Sequence, residues 1–389
     1  MVDAFAIAAT PQLHFGAGKL SILPSLVKTY GKKVALITGA HSFLQSEQGT
    51  KLLALLASQG FDVSLVSIAK EPTPQLVDHA VEQCVRFQPD VLVAIGGGSV
   101  LDAGKAIAAM VPLQAGVKDY LEGVGTKNHP GVKVPFVAVP TTAGTGSEAT
   151  KNAVISEIGE HGFKKSLRHN KFVPDAAIVD PALTLSCPPS VTAASGVDAF
   201  TQLLESYLST QANPVTDALA YEGLRRIAHS LLKAYREGSD LDARTDVALA
   251  AYLSGVTLAN AGLGVVHGYA SSIGGYFDVP HGVVCSSVMA AANAVTVRKL
   301  RATHGHDEAL SKYATAGKIF SAIAHKSNDY YIDFLLDLIA QWTRDMNIPS
   351  LQTSGVQRDY YERIAARTDN KYNPIALDAS ELMEVLTLS

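Results

Sequence analysis

Four residues in the second half of the chain are of types that could bind a metal ion. Asp198 and Gln202 are four positions apart in a predicted helix, so their side chains share one face. His267 and His281 follow further along the chain. A carboxylate, an amide oxygen and two imidazoles could hold a divalent first-row ion and leave one position open. Each residue alone is a weak signal, because a carboxylate is also favoured near a helix start.

A glycine-rich segment in the first half could bind a phosphate group. It lies where a predicted strand becomes a helix, and it contains Gly96, Gly97, Gly98 and Ser99. Glycines at such a turn let backbone N–H groups approach a pyrophosphate at the positive end of the helix. Leu101 stands where the third glycine of the G-x-G-x-x-G fingerprint belongs. Ser99 and Asp102 could instead form a capping box.

A second loop strengthens the prediction of a dinucleotide site. It also follows a predicted strand, and its hydroxyl-bearing residues are Thr141, Thr142, Thr145 and Ser147. Loops at the carboxyl ends of parallel strands converge on one crevice, where such sheets bind their ligands. The two loops together favour a bound dinucleotide.

The turn after the first long predicted strand bears on which dinucleotide binds. An acidic residue there would bind the ribose hydroxyls and repel a 2′-phosphate. Gly39 occupies this place, with His41 and Ser42 behind it as candidate phosphate contacts. The sequence therefore allows either NAD or NADP.

The first half of the chain has the pattern of a doubly wound parallel sheet. Predicted strands cover 34–38, 61–68, 91–95 and 134–139, and predicted helices cover 48–59, 74–87 and 99–110. Beyond Pro188 the pattern is helical. The predicted helices there are 193–209, 214–237, 243–263, 284–300, 308–324 and 330–346, with a loop over 274–282.

These patterns predict two domains. Residues 1–184 would form a Rossmann-like α/β dinucleotide-binding domain, and residues 185–389 an all-α domain that binds metal and substrate. The segment 180–189 is the predicted hinge, and the cleft between the domains is where a two-substrate enzyme would place its chemistry.

Composition excludes several other classes of protein. The net charge is −4 with no basic block, so we expect no nucleic-acid partner. The chain begins without a basic signal-peptide region, and we expect no membrane partner. Cys84, Cys187 and Cys285 are few and widely spaced, as reduced thiols of a cytoplasmic protein are.

The chain resembles the iron-containing (group III) alcohol dehydrogenases over nearly its whole length. The matching motifs are GGGSVLDAGK (96–105), PTTAGTGSE (140–148), VDP (179–181), PPSVTAASGVDAFTQLLESY (188–207), ANAGLGVVHGYA (259–270) and DVPHGVV (278–284). The resemblance implies a dehydroquinate synthase-like fold, with the dinucleotide on the two loops and Lys164 beside it. It also implies a homodimer or larger homo-oligomer. The family's metal-binding positions fall on Asp198, Gln202, His267 and His281.

The sequence departs from the family pattern at two positions. Gln202 stands where the second ligand is usually histidine, and an amide oxygen is the weaker donor. We therefore expect looser binding of the divalent ion, Fe²⁺ or Zn²⁺. Ser271 stands where a final histidine is thought to line the substrate cleft or relay a proton. Ser271 or the ribose hydroxyls of the cofactor could take over that relay.

The predicted activity is that of a metal-dependent NAD(P)-linked alcohol dehydrogenase or aldehyde reductase. A hydride would pass between a metal-bound alkoxide, held beside His267, and the nicotinamide. A largely apolar group of candidate pocket residues predicts a small or medium alcohol or aldehyde as substrate. The group consists of Tyr269, Phe277, Tyr252, Val154 and Tyr372.

Three alternatives stay open. One is a metal-free reductase similar to the maleylacetate reductases, and another is an inactive NAD(P)-binding homologue. The third is a cyclase similar to dehydroquinate synthase, which needs Lys and Arg around a phosphorylated substrate. The stretch from Leu258 to Val284 contains neither residue, which argues against the cyclase.

Overall fold

The computed structural model describes residues 4–389. Residues 1–3, where the predicted nucleotide-binding domain begins, lie outside the described residues. The strands are β1 (Gln12–Phe15), β2 (Lys33–Gly39), β3 (Asp62–Ile68), β4 (Val91–Gly96), β5 (Phe136–Pro140), β6 (Asn152–Glu157), β7 (Phe163–Arg168) and β8 (Ala176–Val179).

Six of these strands form one parallel sheet in the order β1-β8-β5-β4-β2-β3. Thr38 at the end of β2 lies opposite Ile95, and Gly96 lies opposite Pro140, so the loops after these strands start side by side. All six residues of β4 are buried, as expected for a strand covered on both faces. The predicted parallel α/β fold is confirmed.

Helices cover this sheet and then form the rest of the chain. The first four are α1 (Leu23–Val27), α2 (Glu47–Ser58), α3 (Pro74–Phe87) and α4 (Gly98–Met110). The all-helical part follows with α5 (Pro189–Leu208), α6 (Pro214–Arg236), α7 (Leu241–Ala261), α8 (Val265–Tyr276), α9 (His281–Ala302), α10 (Asp307–Phe320), α11 (Asn328–Asp345), α12 (Tyr361–Arg367) and α13 (Ala379–Leu388). The boundary predicted at 184/185 falls between β8 and α5 and stays a prediction.

Helix α5 lies at the centre of the core of the helical part. Val197, Phe200 and Leu204 of α5 are fully or almost fully buried in the core that α5 forms with α6, α7 and α9, and Phe200 packs edge-on against Trp342 of α11. Their 3-4 spacing fixes which face of α5 enters this core. Asp198 and Gln202 are buried on another face of the same helix, which is therefore rigidly positioned to carry polar side chains.

The region around 274–282 differs from its prediction as a loop. Helix α8 continues through Gly274 and Gly275 to Tyr276, and only residues 277–280 connect it to α9. A Cβ atom on Gly274 would lie 2.6 Å from Cδ of Lys164. Gly274 leaves room for the side chain of Lys164, which passes close to the helix, and it does not end the helix.

The hairpin of β6 and β7 was not predicted. Its two strands pair antiparallel, with Ser156 opposite Lys164, and they lie outside the main sheet. Lys164 and Lys165 in β7 interrupt the apolar alternation that would indicate a strand. The hairpin contacts α4 and α8, and it brings Lys164 to the space between the sheet and the helices.

Helix α9 is rich in apolar residues. Within residues 4–389 it is the single helix long and apolar enough to cross a membrane. Of its most apolar window, 72% is buried inside the protein, as in a core helix.

Candidate active site

Three of the predicted metal ligands come together where α5, α8 and α9 meet. Oδ1 of Asp198 lies 3.3 Å from Nε2 of His267 and 3.7 Å from Nε2 of His281. The sharp turn that allows this lies between α7 and α8, whose axes meet at 94°. Asp198 and His267 are buried, whereas His281 keeps 26% of its side chain exposed.

His267 is held by a carboxylate that the sequence analysis missed. Its Nδ1 lies 2.6 Å from Oε2 of Glu205, and the other oxygen of Glu205 accepts a hydrogen bond of 2.7 Å from the backbone N–H of Val266. Metal-binding histidines commonly donate the remote ring N–H to a carboxylate, which fixes the ring and its tautomer. Glu205 lies seven residues after Asp198 on α5, a same-face spacing that could have revealed it.

The protonation of the two histidines differs. Burial lowers the pKa of His281 to about 4, so its imidazole is neutral at neutral pH, as metal binding requires. Burial also opposes charge on His267, but Cys285, Glu205 and Asp198 together raise the pKa of His267 well above its usual value. A cation bound at Nε2 would compete with a proton there.

The side-chain amide of Gln202 is not oriented as expected for a metal ligand. Its Nε2 donates a hydrogen bond of 3.1 Å to Oδ2 of Asp198, and its Oε1 accepts one of 2.8 Å from Oγ of Ser254. The amide oxygen, the atom expected to bind metal, is therefore directed at Ser254. Metal binding by Gln202 stays a prediction.

Cys285 joins the group of ligand atoms instead. Its Sγ lies 3.7 Å from Nε2 of His267 and 3.6 Å from Nε2 of His281. One ligand atom from each of Asp198, His267, His281 and Cys285 fits within 4.8 Å of the others. Oδ1 of Asp198 is buried and has no hydrogen-bond partner of good geometry among the described residues. A buried carboxylate oxygen facing two imidazoles and a thiol is a donor set suited to a divalent cation.

The two predicted dinucleotide loops pack directly against one another. A Cβ atom on Gly98 would lie 2.6 Å from Cγ2 of Thr145, so this contact admits only glycine. Helix α4 begins at Gly98 with Gly97 as its N-cap, and no side chain caps its first turn. Its leading N–H groups are therefore available to a phosphate, at the positive end of a 13-residue helix. The alternative capping box of Ser99 with Asp102 is not formed, because the N-cap is Gly97 and Ser99 lies within α4.

Asp102 belongs to a buried polar group that ties the loops together. It accepts hydrogen bonds from Oγ of Ser147 and from the backbone N–H of Val154, the latter 3.1 Å long. Lys105 lies one turn further on, and its Nζ donates to the backbone oxygens of Ser147 and Asn152. Burial lowers the pKa of Lys105 to about 8. Lys105 thus joins the loop after β5 to the hairpin, a role the sequence analysis missed.

Lys164 reaches the cleft as part of an ion pair. Its Nζ lies 2.6 and 2.8 Å from the two carboxylate oxygens of Glu71. Burial alone would raise the pKa of Glu71, but the charge and hydrogen bonds of Lys164 outweigh it and lower that pKa. Glu71 is 93 residues away in sequence, so no local signal identified it.

A cleft of about 540 Å³ connects these groups. Of the predicted site residues, it is lined by Gly98, Ser99, Asp102, Thr145, Ser147, Lys164, Gln202, His267, Ser271 and His281. Val154 and Tyr372 also line it, as expected for the pocket. Gly96 at the end of β4, Gly97 before α4, and Thr141 and Thr142 after β5 are outside this lining. Gly39 ends β2 and Ser42 follows it, at the same edge of the sheet.

Two parts of the pocket prediction are wrong. Tyr269 is fully buried in the core and donates to the backbone oxygen of Leu382, and Tyr252 is buried in a separate apolar cluster. Phe277 instead packs edge-on against Tyr360. The cleft is also lined by more charged residues than the candidate group contains, since charged side chains enter it from the hairpin, from the C-terminal segment and from the segments before α3 and β5. They include Lys164, Lys165, Arg168, Arg367 and Lys371 with Glu71, Glu122 and Asp369.

Comparison with known proteins agrees with this geometry. Residues 10–181 match the family described as iron-containing alcohol dehydrogenase, and residues 192–387 match the C-terminal region of the same family. The chain belongs to the iron-containing alcohol dehydrogenase family. It is thus an oxidoreductase acting on alcohols.

Individual members of the family show how far the likeness extends. The NADPH-dependent butanol dehydrogenase of Clostridium saccharobutylicum is 30% identical over 96% of this chain and 95% of its own. The NAD-dependent methanol dehydrogenase of Bacillus methanolicus is 37% identical over 72% of each chain. A crystal structure of a 1,3-propanediol oxidoreductase superposes with a TM-score of 0.88 at 29% identity, over 99% of both chains. The dehydroquinate synthase-like fold is thereby confirmed.

Proposed function

We propose that this dehydrogenase works with a divalent cation held by Asp198, His267 and His281 and interconverts a small alcohol and its aldehyde with NAD(P). The observation that carries the proposal is the convergence of the three ligand atoms beside one cleft, which His267 and His281 line together with the N-terminus of α4. A cation bound there would supply Lewis acidity, which lowers the pKa of an alcohol or polarises a carbonyl.

The side chains around the cleft prepare the site for hydride transfer. Glu205 fixes the His267 ring, and Gln202 fixes one oxygen of Asp198 so that the other faces the histidines. The loops after β4 and β5 line the same cleft and would hold the dinucleotide there. Holding both reactants in a fixed geometry converts an encounter of two molecules into a reaction within one complex.

Ser271 is the proposed proton-relay residue. It lines the cleft one helical turn after His267, and its Oγ donates to the His267 backbone oxygen over 2.9 Å. Its oxygen lone pairs remain free to accept a proton from a bound alcohol. We infer that Ser271, on accepting that proton, would release its own hydroxyl proton from the His267 backbone oxygen to a ribose hydroxyl of the cofactor, and from there to solvent.

The coenzyme choice follows from the edge of the sheet. Gly39 ends β2 without a carboxylate, and a Cβ atom there would meet no other atom within 4 Å. The space beside the ribose can therefore admit a 2′-phosphate, and relatives are named for either coenzyme. We infer that both NAD and NADP bind.

The charged lining favours a polar substrate. Arg168 pairs with Glu122 and Lys164 with Glu71, whereas no salt bridge is formed by Lys165, Arg367 or Lys371 among the described residues. A short hydroxy- or oxo-substituted aldehyde would hydrogen-bond to such groups, and an extended alkyl chain would leave them desolvated. We infer that short polar aldehydes are turned over better than long aliphatic ones. These cationic residues lie outside Leu258–Val284, so that stretch alone does not exclude a cyclase, and it is the family match that argues against one.

Metal removal and restoration test the proposed function. Protein stripped with a chelator should lose aldehyde reduction with NADH and NADPH, and stoichiometric Fe²⁺ or Zn²⁺ should restore it. Turnover that survives complete removal of metal would identify a metal-free reductase instead. A metal-loaded protein without turnover on any aldehyde or alcohol would identify an inactive homologue.

A further inference from the structure

We propose that Cys285, and not Gln202, completes the metal-binding set with Asp198, His267 and His281, and that Gln202 positions Asp198. The inference rests on the proposed metal-dependent function and concerns which residues hold the ion. A set containing a thiolate would favour Zn²⁺ over the harder Fe²⁺.

The first argument is the position of the sulfur atom. Cys285 lies one turn after His281 on α9, so both side chains leave the same face of the helix. In a tetrahedral zinc site, a sulfur and a nitrogen ligand are about 3.6 Å apart, and a nitrogen and an oxygen ligand about 3.3 Å. The sulfur of Cys285 is 3.6 and 3.7 Å from the two imidazole nitrogens, and the oxygen of Asp198 is 3.3 Å from that of His267.

The second argument is the arrangement of Gln202. Oε1 of Gln202 accepts a hydrogen bond of 2.8 Å from Oγ of Ser254 and is therefore directed at that hydroxyl. The amide nitrogen of Gln202 then donates to Oδ2 of Asp198. This hydrogen bond occupies one carboxylate oxygen and leaves Oδ1, which accepts no hydrogen bond of good geometry within residues 4–389, directed at the histidines and the thiol. Gln202 therefore positions the Asp198 carboxylate through a hydrogen bond, as Glu205 positions the His267 ring.

The third argument is the surroundings of the thiol. Cys285 is fully buried, and its sulfur makes its polar contacts with the two imidazole nitrogens. On metal binding the S–H bond breaks, a sulfur–metal bond forms, and the proton is released to solvent. The four protein ligands leave the substrate oxygen to enter as a fifth, an expansion that catalytic zinc sites allow.

Cobalt substitution tests the ligand directly. The purified, metal-free full-length chain is titrated with Co²⁺, and the near-ultraviolet thiolate-to-cobalt charge-transfer band is recorded. We expect the band to grow to saturation at one equivalent and to be absent from Cys285→Ala. Cys84→Ala is the matched control, since Cys84 is buried in the core of the sheet, and it should keep the band.

X-ray absorption on the unmodified protein loaded with Zn²⁺ provides a test that needs no variant. We expect one sulfur scatterer at about 2.3 Å. Stoichiometric metal binding with neither the charge-transfer band nor the sulfur scatterer would overturn the role of Cys285 and leave the proposed function standing. Failure of the chain to bind Co²⁺, Zn²⁺ and Fe²⁺ would overturn both.

Discussion

Nδ1 of His267 lies 2.6 Å from a carboxylate oxygen of Glu205, and both side chains are buried. The contact fixes Nδ1 as the protonated ring nitrogen and leaves Nε2 to face Asp198 and Cys285. Such a carboxylate also makes the imidazole a better ligand. Glu205 is therefore a positioning residue, and its replacement should weaken metal binding at His267.

Glu205→Gln should therefore weaken metal binding about 10- to 100-fold, because an amide holds the ring less strongly than a carboxylate. Competition of the protein with a chromophoric zinc chelator measures the change. Glu47→Gln, at an exposed glutamate of α2, is the control and should bind zinc like the parent protein. Equal affinities in all three proteins would contradict the assigned role of Glu205.

Gly98→Ala should impair dinucleotide binding, because the added methyl group would displace Thr145 from the contact between the two loops. We expect the dissociation constant for NADPH to rise at least about 10-fold, or about 1.4 kcal/mol. Fluorescence titration of NADPH provides the measurement. Gly116→Ala is the control, since its Cβ would meet only an ordinary contact at 3.6 Å. Unchanged affinity in Gly98→Ala would show that the loops do not hold the coenzyme as described.

Gly39→Asp should shift the coenzyme preference toward NADH. The new carboxylate has open space at the end of β2 and would repel a 2′-phosphate while accepting from ribose hydroxyls. We expect the ratio of kcat/KM for NADH to that for NADPH to rise at least about 10-fold. If the ratio stays the same, the adenosine ribose does not lie beside β2.

Glu148 should make stability depend on pH. Burial raises the pKa of Glu148 to about 7 in the folded chain, against an ordinary value of 4.5. The folded form therefore holds the proton more tightly, so this stabilisation is complete below pH about 4.5 and is lost as the pH rises through about 7. Glu148→Gln should remove that loss, which amounts to about 3 kcal/mol. Urea unfolding at pH 5 and pH 8 checks this, and an identical pH dependence in both proteins would contradict it.

The sequence predicts the parts of this protein whose signals are local. Val91–Ile95 and the helical spacing of the leucines after Gln48 each specify one element, and the structure contains both. The motifs containing Asp198, His267 and His281 are placed together as the family resemblance implies. The domain boundary and the roles of the site residues remain predictions.

The remaining features depend on contacts between distant parts of the chain. Lys164 meets Glu71, and Lys371 and Arg367 enter the cleft from the C-terminal segment. No periodic pattern in the sequence links these positions, so the charged lining was missed and the pocket was expected to be apolar. Cys285 is different, because its spacing of four from His281 was visible and had been interpreted only as a reduced thiol.

Metal content and turnover of His267→Ala and His281→Ala, measured on the same preparations, test the central claim most directly. Each variant should lose the bound metal and the reduction of aldehydes together, because each removes a ligand from the cation. His304→Ala, at an exposed histidine, should keep both. Full turnover in either site variant without bound metal would contradict the metal-dependent mechanism.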